Sequence, residues 1–120
     1  MPDADCLFCK IVAGEVPAEV VAETERSVAF RDINAQAPTH VLVIPRAHHE
    51  NAAALAEADV EGLADLVRLA HQVADAEGLV DDLDDKGYRL VFNTGAGIGQ
   101  SVFHVHLHVL GGRDMSWPPG

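Results

Sequence analysis

Three histidines occupy alternate positions of a short apolar run near the end of the chain, SVFHVHLHVL at 101–110. Because successive side chains of a β-strand point to opposite faces, this pattern predicts His104, His106 and His108 on one face, about 6.5–7 Å apart. The other face is predicted to point to the core and carries Ser101, Phe103, Val105, Leu107 and Val109. Valine or threonine would suit a strand better than three imidazoles, so the histidines are predicted to do chemistry.

Two chemistries fit three imidazoles in register. All three could bind a catalytic metal ion, or one neutral imidazole could be a nucleophile whose neighbours hold its tautomer and carry protons. The segment before them, TGAGIGQ at 94–100, has three glycines at alternate positions. Such a loop can turn backbone N–H groups toward a phosphate, which favours the nucleophile.

A second candidate site is the pair Cys6 and Cys9, in the sequence C-L-F-C. In a reducing compartment such a pair is more often metal-binding or redox-active than a structural disulfide. A redox pair normally lies at the start of a helix that follows a strand. No strand can precede Cys6, so metal binding is favoured.

The rest of the sequence predicts the elements that position these residues. Short-range patterns predict helices over 5–13 and 59–77 and strands over 19–23, 27–32, 40–45, 87–93 and 101–110. This order indicates an α+β fold with a five-stranded antiparallel sheet, one long helix and a short N-terminal helix. The long helix carries a predicted core stripe of Val60, Leu63, Ala64, Val67, Ala70 and Ala74. Leu66, Leu69 and Val73 widen this stripe, so a second subunit is a plausible cover.

Composition limits the class of protein. A chain of 120 residues with 48% hydrophobic content predicts one globular domain. The net charge of −11 argues against nucleic-acid partners and against an anionic membrane surface. The first residues lack a basic region followed by an apolar one, and no apolar run approaches the roughly 20 residues of a membrane span. A cytoplasmic location is therefore expected.

The run HVHLHVL, residues 104–110, resembles the His-φ-His-φ-His-φ-φ signature of the histidine triad (HIT) superfamily of nucleotide hydrolases and transferases. The segments INAQAPTHVLVIPRAHH, GYRLVFNTGAGIGQSVFHVHLHVLGGR and the terminal WPPG resemble its histidine triad nucleotide-binding branch. The likeness extends from about Cys6 to Gly120. It implies a HIT-like fold, a single HIT domain over 1–120 with a tail at 113–120, and a homodimeric hydrolase of purine nucleoside phosphoramidates.

The resemblance also implies roles for individual residues. His106 matches the nucleophile that forms a nucleotidyl-histidine intermediate, and His104, His108 and Ser101 match residues that assist it. Implied nucleotide contacts are Asp32 to the ribose, Ile33 to the base, and Asn93, Gly99, Gln100, Ser101 and His108 on the phosphate side. His40 matches a histidine behind the triad. Trp117 matches a tail residue that reaches the partner subunit's active site and tunes substrate choice.

Members of the superfamily that carry a C-x-x-C pair bind zinc through it and two histidines, whereas close relatives with the WPPG tail often lack the pair. The matching set here is Cys6, Cys9, His48 and His104, with His49 as an alternative to His48. Two thiolates and two imidazoles make a closed tetrahedral site, which is structural in character. Whether activity needs the metal stays open at this point.

Other functions fit the same motifs. The enzyme could cleave dinucleoside polyphosphates, or a catalytic zinc ion could use all three triad histidines as ligands. The chain could instead be a regulatory module that binds a purine nucleotide without hydrolysing it. Turnover of an adenosine phosphoramidate separates the hydrolase from the module. Metal counting separates the zinc hydrolase, which needs a zinc ion with an open position.

Overall fold

A five-stranded antiparallel sheet in the order β1-β2-β3-β5-β4 forms the centre of the protein, in a computed structural model that describes residues 3–120. The strands are β1 Val20–Glu23, β2 Ser27–Arg31, β3 Thr39–Pro45, β4 Tyr88–Phe92 and β5 Leu107–Gly111. The helices are α1 Leu7–Val12, α2 Ala52–Ala58 and α3 Val60–Ala76, and a 3-10 turn covers Ala96–Ile98. The predicted α+β architecture is confirmed, with β4 at one edge of the sheet.

The long helix α3 covers one face of the sheet. Alternation along β3 turns Val41 and Val43 toward this helix, and both are fully buried. Leu107 and Val109 of the neighbouring strand β5 join the same cluster. Burial of a branched aliphatic side chain contributes about 1.5–3 kcal/mol to stability, so the packing of β3 and β5 against α3 stabilises the sheet.

The short helix α1 covers the opposite face. Here the alternate residues of β3, Leu42 and Ile44, pack with Phe30 of β2 and with Phe8 of α1. The triad histidines lie toward this side because His108 alternates with the core residues of β5. The sheet therefore separates a mainly apolar face from the face that carries the triad.

The predicted stripe of α3 is partly wrong. The core side consists of Gly62, Leu66, Leu69, Ala70, Val73 and Ala74. Val60 and Val67 are 68% and 43% exposed. The helix is apolar over more than one face, and periodicity alone did not distinguish the side that meets the sheet from the side that does not.

The predicted strand over 101–110 is also partly wrong, since β5 begins only at Leu107. The backbone of the preceding segment bonds elsewhere: the Val105 amide donates to the carbonyl of His49 at 2.8 Å. Alternation still holds from His104 onward, where Val105 is buried in the α3-side core. It fails at Phe103, which is 44% exposed instead of core.

Helix α2 was not predicted. Its start is signalled by Asn51, whose side-chain oxygen accepts from the Ala54 amide at 2.9 Å. Asp59 ends α2 and caps α3 in the same way, through the Gly62 amide at 2.9 Å. None of the helices within residues 3–120 has the length and apolarity needed to cross a membrane.

Candidate active site and metal cluster

His106 lies in the extended segment just before β5, with 8% of its surface exposed. Its Nδ1 atom is 2.9 Å from the carbonyl oxygen of His104. A carbonyl oxygen can only accept, so Nδ1 carries the proton and Nε2 of the neutral ring keeps a free lone pair. The backbone therefore selects the tautomer that a nucleophilic imidazole needs.

His108 is held by a chain of hydrogen bonds that begins at the backbone of Gln36. The Gln36 amide donates to Nδ1 of His40 at 2.9 Å, which places the proton of His40 on Nε2. That Nε2–H lies 2.9 Å from Nδ1 of His108 and 3.3 Å from the Asp32 carboxylate. Nδ1 of His108 must accept, so its own proton sits on Nε2.

Nε2 of His108 is buried and, within residues 3–120, has no hydrogen-bond partner. Buried polar groups are nearly always paired, so an unpaired N–H here marks the place of an acceptor that the protein does not supply. Burial, with the nearby His106 and His40, lowers the pKa of His108 to about 4. Burial also lowers the pKa of His40, so both rings are neutral at pH 7.

Cross-strand register explains why His40 and His108 meet. Leu42 of β3 is directly opposite His108 of β5, and His40 is opposite Leu110. His40 and His108 are thus diagonal neighbours on one face, within reach of long side chains. Their ring centroids are 5.2 Å apart.

The four predicted metal ligands come together although they belong to distant parts of the chain. The donor atoms of Cys6, Cys9, His48 and His104 all lie within 4.8 Å of one another. Nδ1 of His104 is 3.4 Å from the Cys6 sulfur and 3.5 Å from the Cys9 sulfur. Nδ1 of His48 is 3.3 Å from the Cys9 sulfur.

The surroundings of the cluster suit a divalent cation. Nε2 of His104 donates to the carbonyl oxygen of Pro45 at 2.8 Å, which leaves the Nδ1 lone pair facing the two sulfurs. Burial lowers the pKa of His104 to about 4, so the ring is neutral and able to ligate. Burial raises the pKa of the Cys6 thiol, so forming the thiolate costs free energy that a bound cation would offset. His48, rather than the alternative His49, belongs to the cluster.

Two other metal arrangements do not fit. Asp32, His40 and His108 also place donor atoms within 4.8 Å. However, Nδ1 of His40 accepts from the Gln36 amide, so its Nε2 is protonated and cannot bind a metal without losing that proton. Within residues 3–120, the three triad histidines do not bring their donor atoms together as a metal site. In addition, Nδ1 of His106 donates to the His104 carbonyl and is not free to bind a metal.

The glycine loop connects β4 to the segment that carries the triad. Gly95 and Gly99 adopt φ values of 99° and 102°, where side chains are rarely tolerated. Gln100 is 3% exposed, and its amide accepts from the Gly95 N–H at 2.8 Å and donates to the carbonyls of Glu50 and Val102 at 2.8 and 3.1 Å. In this conformation Gln100 fastens the loop, and its amide has no hydrogen left for a ligand.

The remaining predicted nucleotide contacts differ in their exposure. Ser101 follows the loop and is exposed, and Asn93 is half-buried just after β4. Asp32 is half-buried and caps a turn through the Asn34 amide at 2.8 Å, while Ile33 is fully exposed. Trp117 is 83% exposed and lies apart from its own core.

Three contributors to the site escaped the sequence analysis. Phe8 packs against His106 with ring centroids 5.1 Å apart and an angle of 83° between the planes. The Pro45 carbonyl and the Gln36 amide fix the tautomers of His104 and His40. Residue type does not reveal which backbone groups will form such bonds. Phe8 did carry a signal, because an aromatic residue between two predicted metal ligands is expected to lie close to the site.

Comparison with known proteins agrees with this geometry. The sequence model of the HIT domain matches residues 13–115. A maize protein named 14 kDa zinc-binding protein is 47% identical, over all of this chain and 91% of its own length. A HIT family hydrolase from Legionella pneumophila Philadelphia 1 is 52% identical with a TM-score of 0.88, over 97% of this chain and all of that one. A histidine triad nucleotide-binding protein from Candida albicans is 29% identical with a TM-score of 0.85, over 97% and 85% of the two chains.

Proposed function

The chain belongs to the HIT family, and from this membership we propose that it hydrolyses purine nucleoside 5′-phosphoramidates of the adenosine type through a nucleotidyl intermediate on His106. The observation that best supports this proposal is that two neighbouring histidine rings offer a lone pair and an N–H donor, respectively. His106 offers a lone pair at Nε2, and His108 offers a buried, unpaired N–H. Their ring centroids are 5.0 Å apart. A phosphate would accept from His108 while His106 attacks its phosphorus.

The proposed hydrolysis takes place in two steps. In the first, Nε2 of His106 forms a bond to the α-phosphorus, the P–N bond breaks, and the amine leaves with a proton. We assign to Ser101, exposed beside the loop, the transfer of that proton from solvent to the leaving amine. In the second, water attacks the phosphorus and loses a proton to solvent, the electron pair of the bond to His106 returns to Nε2, and the nucleoside monophosphate is released.

The protein's own groups offset the charge of the substrate. With a net charge of −11, attraction of an anion must come from local donors. His108 supplies one, and the loop around Gly99 together with Asn93 supplies others on the phosphate side. Asp32 is assigned to the ribose hydroxyls and Ile33 to the base, because the family resemblance implies these roles for the two residues that follow β2.

We assign a structural zinc ion to Cys6, Cys9, His48 and His104. The donor set fits a closed tetrahedral site, and the maize relative is named a zinc-binding protein. Bound there, the metal would supply a cross-link between α1 and the catalytic segment and would leave no open position for substrate. The reaction steps above therefore belong to the protein's own side chains.

A homodimer completes the proposal. The outer side of α3 exposes Val60 and Val67, and His71 on the same side bonds the Tyr88 hydroxyl of edge strand β4 at 2.8 Å. An apolar helix face beside an unpaired edge strand suits pairing across a two-fold axis. The exposed Trp117 would then reach the partner's site. Light scattering should report a dimer at micromolar concentration, and removal of residues 116–120 should change the preference among leaving amines more than it changes stability.

The central experiment is incubation with adenosine phosphoramidates and diadenosine polyphosphates, followed by intact-mass analysis after rapid acid quench. A nucleotidyl adduct that is absent from the His106→Ala variant supports the mechanism. Faster turnover of the diadenosine compounds would favour the polyphosphate hydrolase. Nucleotide binding without turnover of either class would make the chain a binding module.

A further inference from the structure

Phe8 lies between Cys6 and Cys9 on α1 and faces the triad. Its side chain is 5% exposed and stands almost perpendicular to the ring of His106, with centroids 5.1 Å apart. We propose that Phe8 is a positioning residue that holds the His106 ring in its attacking orientation, and that the cluster of Cys6, Cys9, His48 and His104 holds Phe8 in place. This inference rests on the proposed function of His106.

The hydrogen bond of His106 does not by itself fix the ring. A bond from Nδ1 to the His104 carbonyl anchors one corner, and the ring can still tilt about that corner. His108 contacts the ring from the same segment, with planes at 57°. Phe8 contacts it from another element of the fold and at 83°. Contacts with two rings at different angles restrict the direction of the Nε2 lone pair. A misplacement of the attacking atom by about 1 Å can lower the rate about a hundredfold.

Phe8 in turn depends on how α1 is attached. A helix of six residues is not stable alone, so α1 stays in place only through its contacts. The sulfurs of Cys6 and Cys9, on either side of Phe8, face Nδ1 of His104. Phe8 also packs against Phe30 of β2, with centroids 5.6 Å apart. A change in the cluster therefore reaches His106 through Phe8, one of the two residues between Cys6 and Cys9.

The first test reads the His106 ring without substrate. Nitrogen NMR of ¹⁵N-histidine-labelled protein should show His106 as one sharp signal pair with the proton on Nδ1. Phe8→Ala should broaden that pair or mix the two tautomers, and Phe8→Leu should restore most of it because it keeps apolar bulk. Val28→Ala is the matched control, since Val28 is buried in the same apolar cluster. Its spectrum should match the wild type. A wild-type His106 spectrum in Phe8→Ala would overturn the proposal.

The second test reads the chemical step. At saturating adenosine phosphoramidate, adduct formation in a single turnover should slow about tenfold or more in Phe8→Ala and stay within about twofold in Val28→Ala. Equal slowing in both variants would reduce Phe8 to a packing role. If the wild type forms no adduct while the Phe8→Ala spectrum still changes, the proposed function fails and the positioning role stands.

The third test concerns the cluster. Zinc is added back to chelator-treated protein, and bound metal is counted by elemental analysis. The His106 signals should sharpen in the wild type and stay broad in Phe8→Ala. Unchanged wild-type signals, or no bound zinc, would refute the dependence of Phe8 on the cluster.

Discussion

Nδ1 of His106 donates to the carbonyl oxygen of His104 across 2.9 Å, so the residue that faces the two cysteine sulfurs also fixes the tautomer of the proposed nucleophile. One residue thus serves two sites, with its ring in the metal cluster and its backbone in the active site. Changes at either site are expected to be felt at the other.

Replacement of His106 by alanine should remove phosphoramidate hydrolysis by several orders of magnitude, as expected for loss of a nucleophile. Nucleotide binding should be largely retained, because His108, Asp32 and the glycine loop remain. Steady-state kinetics and calorimetric titration with a nucleoside monophosphate measure the two effects. Glu25→Ala, at an exposed residue between β1 and β2, is the control. Residual turnover above about a tenth of the wild type would exclude the covalent route.

Replacement of His40 by alanine should lower kcat/KM about tenfold to a hundredfold. Without the donated Nε2–H, Nδ1 of His108 can take up the proton, and its Nε2 then no longer donates to phosphate. Loss of one such hydrogen bond costs about 1–3 kcal/mol. His40→Gln, whose side-chain amide can still donate, should recover part of the rate. If both variants match the wild type, the hydrogen-bond chain has no catalytic role.

Acid should destabilise the fold through His108. Its pKa lies near 4 in the folded protein against 6.5 for a free histidine. Between these values the unfolded chain binds more protons, so the free energy of unfolding falls as the pH falls from about 6.5 to 4, by up to about 3 kcal/mol. Denaturant titrations at several pH values should show a smaller acid loss in His108→Asn. Parallel curves for the two proteins would contradict the buried neutral state.

Replacement of His48 by alanine should abolish stoichiometric zinc, whereas the same change at the adjacent His49 should preserve it. The structure places only His48 beside the Cys9 sulfur, at 3.3 Å. Elemental analysis after metal-replete expression gives the stoichiometry, and the midpoint of thermal unfolding gives the stability that the metal contributes. Equal zinc in both variants would show that the cluster has been assigned wrongly.

Gln100→Glu should weaken the glycine loop, because a carboxylate cannot donate to the Glu50 and Val102 carbonyls. An unsatisfied buried group costs about 1–3 kcal/mol, so both stability and kcat should fall. Gln72→Glu makes the same change at an exposed side chain of α3 and should alter neither by much. A stable Gln100→Glu variant that has lost only substrate affinity would instead support direct contact with phosphate.

Much of the site was predictable because chemistry restricts residue type. The triad, the cysteine pair and His48 stand out as residues that packing does not explain, and the structure brings Cys6, Cys9, His48 and His104 together as expected. Alternation along 105–109 also predicts correctly which side of β5 meets the core.

The failures have a common cause in backbone and tertiary contacts. Residues 101–106 have strand-like composition, yet the Val105 amide pairs with the His49 carbonyl outside any ladder. Val60 and Val67 fit the apolar spacing of the predicted stripe, but they lie on the outer side of α3, away from the sheet. Each depends on which partner lies nearby, and local sequence does not carry that information.

The contact between Cys6 and His104 spans 98 positions of the chain. During synthesis α1 emerges well before its anchoring partner His104. A six-residue helix cannot persist by itself, so both thiols stay accessible on the nascent chain until β5 joins the sheet. The N-terminal segment is therefore expected to dock last, and capture of the metal would report that the whole domain has been completed.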